Sequence, residues 1–230
     1  MPFVSFDNPI ARLFYLSIKG LGNLLYGMGF SAQVIGERHI PESGPVIIAS
    51  NHPSFLDPVL IGIKVRRRVR FMAWDLIFRI PVIAFMAESL GAFPVSMKKM
   101  GKDTLAKTLE ILSGGHVLGI FPDGKRTDSG KMENLKPGAV RMALTVGAPI
   151  VPCSIIGAFK AWPKTRLWCQ TGEITVVFHP PIVFSEEEKK HKRDQEFIEE
   201  INGRIKNIVN TSIDSPPVRR GAPLTRARSR

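Results

Sequence analysis

A chain of 230 residues that is 44% hydrophobic carries enough apolar material for one packed core, which excludes disorder throughout. Lysine and arginine outnumber the acids 32 to 20, a net charge of +12, and this favours anionic partners: nucleic acid, phospholipid surfaces or phosphorylated small molecules. Five arginines and no acid follow Ser215, so 12 minus 5 leaves +7 on the remainder, while two cysteines, Cys153 and Cys169, exclude a disulfide framework.

In chain order, PIARLFYLSIKGLGNLLYGMGF places Ile10, Phe14, Ile18, Leu21 and Leu25 at helical spacing, with Arg12 and Lys19 as its charges. The pattern fits a core helix or a helix lying in a membrane interface. No basic segment precedes it and Asp7 stands before it, so a cleaved signal peptide is not expected. No apolar run reaches the ~18 residues of a membrane span.

PVIIAS reads as a buried strand and PVLIGIKVRRRV as the helix after it. WDLIFRIPVIAFMAESLGAF, apolar apart from Asp75, Arg79 and Glu88, reads as a core helix, and LGAFPVS as a short strand. DTLAKTLEIL sets Leu105, Leu109 and Leu112 on one helical face and ends at Gly114-Gly115. HVLGIFP, PGAVRMALTVG and PIVPCSIIG follow as strand, helix and strand, and GEITVVFHPPIVF as a strand running toward an edge. Ser185 with Glu188 forms a capping box for a charged helix whose Phe197, Ile201, Ile205 and Ile208 make one stripe.

Alternating strands and helices predict an α/β fold, a single mixed sheet flanked by helices, with sites in loops at the carboxyl ends of strands. The organisation expected is an amphipathic N-terminal segment over 1–30, the α/β domain over 31–212 and a basic disordered tail over 213–230.

The apolar run VIIAS ends in Asn51-His52-Pro53, with Asp57 five places after the histidine. Asp57-Pro58 matches an N-cap followed by proline at the first helical position, in which case His52 is a loop residue and nothing more. The chemical alternative is a carboxylate that fixes the imidazole tautomer and leaves its other nitrogen as a base. An alcohol deprotonated by that base could attack an ester or thioester. Ser54 lacks the G-x-S-x-G setting of a nucleophile and reads as a turn residue. GIFPDGKRTDSG puts Asp123, Gly124, Lys125 and Arg126 just after a strand, where glycine permits close approach and the cations suit a phosphate. Lys98 and Lys99 similarly follow LGAFPVS, and Pro152 marks a bulge or a strand edge.

Four ordered blocks, NHPSFLD, GAFPVSM, FPDGKRT and VPCSI, resemble the N-H-x-x-x-x-D, G-x-F-P-V-x-R, F-P-E-G-T-R-S and V-P-V-x segments of the glycerolipid acyltransferases typified by 1-acylglycerol-3-phosphate acyltransferase. LKPGAVRMAL resembles the family's K-x-G helix start, and the likeness covers about residues 20 to 184. It implies acyl transfer from acyl-coenzyme A or acyl carrier protein to the free hydroxyl of a lysophospholipid, foremost 1-acylglycerol 3-phosphate giving phosphatidic acid. By the same resemblance His52 is the general base, Asp57 its partner, and Arg126, Gly124 and Asp123, with Lys125, Lys98 and Lys99 nearby, the acceptor-phosphate site. Asn51, Gly91, Phe93, Pro94, Pro122 and Pro152 support the blocks. No metal or cofactor is implied, and the partners are a membrane phospholipid surface, the acceptor and the donor.

Three departures bear on the acceptor: Met97 stands where the family has arginine, Asp123 for glutamate and Lys125 for threonine. Another lysophospholipid or glycerol 3-phosphate is the alternative acceptor, and a non-catalytic lipid-binding member of the fold the alternative class. Nucleic acid is disfavoured, because the Lys64 to Arg70 run lacks interleaved aromatics and no reading module is visible. The expected setting is a peripheral or monotopic position on the cytoplasmic face of a membrane.

Overall fold

A computed structural model describes residues 31–95, 102–166, 168 and 170–217, with 9, 10, 13, 15–17 and 20 of a helical N-terminal segment. Seven strands, β1 (Ser31–Ile35), β2 (Val46–Ser50), β3 (Val69–Trp74), β4 (Ala92–Val95), β5 (Val117–Ile120), β6 (Ile150–Ile156) and β7 (Glu173–Phe178), form one sheet in the order β1-β7-β6-β2-β5-β3-β4. The five strands β2 to β6 are mutually parallel, and β1 and β7 run against them. All five parallel strands therefore end, and β1 and β7 begin, at one end of the sheet. The mixed sheet expected from sequence is the one observed.

The helices are α1 (Asp57–Lys64), α2 (Pro81–Ser89), α3 (Lys102–Ser113), α4 (Gly138–Val146), α5 (Ala158–Ala161) and α6 (Gln195–Asp214). β2 is buried along its whole length because its alternating side chains enter two separate cores. Ile47 and Ala49 join Leu112, Met142, Leu144 and the α6 stripe Ile198, Ile201, Ile205 and Val209. Val46 and Ile48 join Leu60, Ile61, Phe71, Val151 and Ile174 on the other face. A strand packed this way is a rigid mount for whatever its carboxyl end carries.

Several expectations are corrected. The helix expected over PVLIGIKVRRRV stops at Lys64, and Val69 begins β3, whose Val69 and Phe71 point inward at period two. Arg67 drives the reversal: its guanidinium donates to the carbonyls of Pro41 (2.9 Å), Gly44 (2.7 Å) and Gly115, tying the basic run to the sheet. Arg68 likewise donates to the Ser89 carbonyl. Two arginines of the run are thus committed to the protein's own backbone.

The core helix expected over 74–93 is instead a 3-10 turn, Asp75–Arg79, and α2, which Pro81 starts afresh. Of α2 only Ser89 is buried, and Val82, Ile83 and Met86 face solvent. β1, too short and polar for sequence patterning to show, is one of the two edge strands, so β7 lies inside the sheet. β7 stops at Phe178, before Pro180-Pro181, and Ile182 then bridges to Ile150.

Ser185 and Glu188 do form the capping box (2.7 and 3.2 Å), yet it holds a 3-10 turn, Glu188–His191. The charge-dense stretch after it has no apolar stripe to bury, and α6 starts from its own cap, Asp194, which accepts from the Phe197 N–H. Pro152 marks neither an edge nor a bulge: it sits inside β6, paired with Ala49, just before the ladder to β7 begins at Cys153.

Candidate active site

His52 emerges two residues past β2 and Asp57 opens α1. The expected N-cap role of Asp57 is not what forms. Its carboxylate turns back, and one oxygen accepts from the Ser54 backbone N–H (2.8 Å) and lies 2.7 Å from His52 Nδ1. The Ser54 hydroxyl accepts from the Leu56 N–H at 3.2 Å, a turn role as expected. The contact assigns the imidazole proton to Nδ1 and leaves the Nε2 lone pair pointing away from Asp57.

Phe121, following β5, stacks on the imidazole at 4.0 Å and 13°, and the Thr127 N–H donates to the His52 carbonyl. The His52 side chain is 20% exposed and that of Asp57 is 0%. Such burial pushes the Asp57 carboxyl from 3.8 up to about 6, opposed by its bonds and charge interaction with His52, the Ser54 N–H and the Arg126 charge. Its second oxygen is buried with no partner among the described residues.

Asn51 explains why the loop holds still. Fully buried, it donates to the carbonyls of Gly130 (2.8 Å) and Ile155 (2.9 Å) and accepts from the Ile155 N–H (2.8 Å). The end of β2 is thereby pinned to β6 and to the loop after β5.

That loop carries the third block. Pro122 is buried, and its carbonyl accepts from the Lys136 N–H. One oxygen of Asp123 accepts from the N–H groups of Glu133 (2.8 Å) and Asn134 (2.9 Å), so it folds the loop back on itself. Gly124 has φ +70°, where a side chain is strained, and a Cβ there would lie 2.7 Å from Lys136 Nζ. Lys125 is exposed.

Arg126 lies over the Phe55 ring, with its guanidinium carbon 3.4 Å from the ring centre, and Phe55 in turn meets Trp162 at 5.3 Å. Its Nη1 is buried and has no partner among the described residues. A cation held by an aromatic face with a buried donor unused is prepared for an anionic oxygen.

The structure therefore brings His52, Asp57, Gly124 and Arg126 into one neighbourhood, with Asp123 beneath. Gly91 (φ +92°) makes the turn into β4, where a Cβ would lie 2.5 Å from the Val69 carbonyl, and Phe93 is core. Pro94 pairs with Ala73 inside the β3–β4 ladder. Met97, Lys98 and Lys99 lie outside the described residues. Sequence reasoning missed Phe55, Phe121, Trp162 and Lys136. Phe55 sits within the NHPSFLD block and could have been flagged as an aromatic beside two titratable groups, whereas Trp162 had no local signal.

An inner strand that sets a histidine against a buried aspartate, beside an arginine-bearing turn, forms the candidate site of this α/β domain. The chain belongs to the Acyltransferase family, whose sequence model matches residues 31–156. It is 29% identical over 188 residues to a chloroplastic 1-acyl-sn-glycerol-3-phosphate acyltransferase of Arabidopsis thaliana, covering 79% of this chain and 52% of that one. To the 1-acyl-sn-glycerol-3-phosphate acyltransferase of Bacillus subtilis it is 25% identical over 183 residues, covering 77% and 88%. The chain thus spans about half the length of the plant relative and most of the bacterial one. The crystal structure of the 1-acyl-sn-glycerophosphate acyltransferase PlsC from Thermotoga maritima shares the fold, with a TM-score of 0.70 at 23% identity over 94% of this chain and 86% of that one.

Proposed function

We propose that this protein transfers an acyl group from a thioester donor, acyl-coenzyme A or acyl carrier protein, to the free hydroxyl of 1-acylglycerol 3-phosphate. The observation that carries the reading is the 2.7 Å contact between His52 and a fully buried Asp57, adjacent to Arg126 with its unused buried donor. The names of the relatives point to the same acceptor.

His52 Nε2 takes the hydroxyl proton as the oxygen attacks the thioester carbonyl, and Asp57 stabilises the imidazolium that forms. The tetrahedral intermediate collapses with loss of thiolate, which receives the proton from His52. The C–S bond breaks, an ester C–O bond forms, and the base is regenerated. Arg126 holds the acceptor phosphate through charge-assisted bonds. The enzyme supplies no nucleophile of its own.

The setting we propose is the cytoplasmic face of a membrane. Among the described residues no helix is long and apolar enough to cross one. Ile10, Leu13 and Leu16 of the N-terminal segment are exposed, which supports an interfacial role for it.

The test is product identification by mass spectrometry after incubation with oleoyl-coenzyme A and a panel of acceptors: lysophosphatidic acid, other lysophospholipids and glycerol 3-phosphate. Diacyl phosphatidic acid as the main product supports the reading. A different ester names the alternative acceptor, and no ester from any acceptor with either donor would leave a lipid-binding protein.

A further inference from the structure

Three rings stand in file between the core and His52. Phe71 is 4% exposed and belongs to the core that α1 covers. Phe121, partly buried, packs against the same core, its ring 6.0 Å from that of Phe71 at 12°. His52 closes the file, 4.0 Å from Phe121 at 13°. The register builds this arrangement. Phe71 of β3 pairs with Gly119 of β5, and Phe121 follows two residues after Gly119, so that period two brings its ring to the same face. Gly119 lets Phe71 lie across the strand, because a Cβ there would stand 2.2 Å from Phe71 Cε1 and 2.5 Å from Cδ1. The base is thus backed, through two rings, by the rigid interior of the sheet.

The last contact has the geometry of a cation on a ring. Two neutral rings favour centroid separations of roughly 4.5–7 Å, offset or edge-on. At 4.0 Å and 13° the imidazole instead lies over the face of Phe121, the electron-rich side that attracts a cation. His52 becomes a cation only after it has taken the hydroxyl proton. The contact therefore strengthens between the resting site and the transition state, which is what a contribution to kcat requires. Asp57 meets the imidazole at its Nδ1 edge and Phe121 meets its face, and neither covers Nε2. The Phe121 backbone serves the other half of the site: its carbonyl accepts from the Gly124 N–H at 2.9 Å and closes the turn that leads to Arg126.

We propose that Phe121 is a positioning residue for acyl transfer: the face of its ring, backed by Phe71, fixes the plane of the His52 imidazole and stabilises the imidazolium formed as the acceptor hydroxyl loses its proton. That role rests on the acyltransferase reading of the site. It deepens that reading by giving the base a second support, at right angles to Asp57.

The test uses the full chain and acceptor-dependent thiol release from oleoyl-coenzyme A. Phe121→Leu keeps apolar bulk and removes the face, so kcat should fall about tenfold while KM for lysophosphatidic acid stays within about twofold. Phe121→Tyr should recover most of the loss. Site-specific incorporation of 3,4,5-trifluorophenylalanine at position 121 keeps the ring's shape and drains its face of electron density, and should by itself lower kcat about fivefold. Phe71→Leu, one ring further back, should lower kcat about threefold with KM unchanged. Proton NMR gives a reading independent of turnover: the His52 ring protons, assigned by their loss in His52→Ala, lie over the Phe121 face and should move downfield in Phe121→Leu.

Wild-type kcat in the trifluorinated enzyme or in Phe121→Leu overturns the proposal, because the ring would then be core packing alone. So do His52 resonances that Phe121→Leu leaves in place, since the two rings would not be stacked in solution. A loss in Phe121→Leu that appears in KM with kcat retained also overturns it, because the ring would then act on the acceptor and not on the base. A wild type that acylates no acceptor from either donor refutes the acyltransferase reading itself, and with it any role for Phe121 in turnover.

Discussion

Replacing Asp57 by asparagine should stabilise the fold at neutral pH while removing most of the turnover. The carboxyl is fully buried and its pKa stands at about 6 in place of 3.8, chiefly through desolvation. The unfolded chain releases this proton near 3.8 and the folded chain only near 6. Between these values the unfolded state holds fewer protons, so stability falls as pH rises. About two decades at ~1.4 kcal/mol each give about 3 kcal/mol of destabilisation above roughly pH 6, absent below roughly pH 4.

Asparagine preserves the shape without the charge. Asp57→Asn should therefore exceed wild type by about 1–3 kcal/mol near neutral pH and match it near pH 4. Urea unfolding of both proteins across roughly pH 4 to 8 reads this directly. Acyl transfer by the same variant should fall by ~10²-fold or more, since a neutral amide no longer stabilises the imidazolium. A variant less stable than wild type by a margin that does not change with pH would mean instead that the carboxylate is a structural tie that desolvation does not oppose.

Other substitutions separate binding from chemistry. Arg126→Ala should raise KM for a phosphate-bearing acceptor by about tenfold or more with a smaller change in kcat, and Arg126→Lys should restore only part of it. An unchanged acceptor dependence would remove Arg126 from the phosphate site. Phe55→Ala should raise the same KM about fivefold, as expected for ~1 kcal/mol of cation–π contact, with Phe55→Tyr close to wild type. Equal losses in Phe55→Ala and Phe55→Tyr would contradict a positioning role. Asn51→Ala leaves the Ile155 N–H and two carbonyls without their partner and should cost about 3 kcal/mol in urea unfolding; a cost below about 1 kcal/mol would mean that water replaces it.

What sequence made legible was the placement of polar and charged residues at strand ends. β2 announces itself as an apolar run because both its faces are buried, and the His52-Asp57 spacing survives folding because a single turn and the start of α1 close it. The third block was legible as a glycine-bearing loop after a strand, yet Asp123 proves to spend one oxygen on two backbone N–H groups, a role that depends on residues 133 and 134. β3 was hidden within a basic run, since Arg67, just past α1, satisfies distant carbonyls of residues 41, 44 and 115. Apolar content also misled over 74–93, where hydrophobicity signalled burial although α2 packs on one side alone. The pairing of Phe55 with Arg126 and Trp162 joins residues far apart in sequence, and no periodicity reports it.

If His52 is the base in acyl transfer, acceptor-dependent release of free thiol from oleoyl-coenzyme A depends on its imidazole. Wild type and His52→Ala would be compared at matched lysophosphatidic acid binding in mixed micelles. Wild type should release thiol rapidly only when acceptor is present, and the variant should lose ~10²-fold or more with acceptor affinity retained. Release by His52→Ala at the wild-type rate would contradict a role as the base.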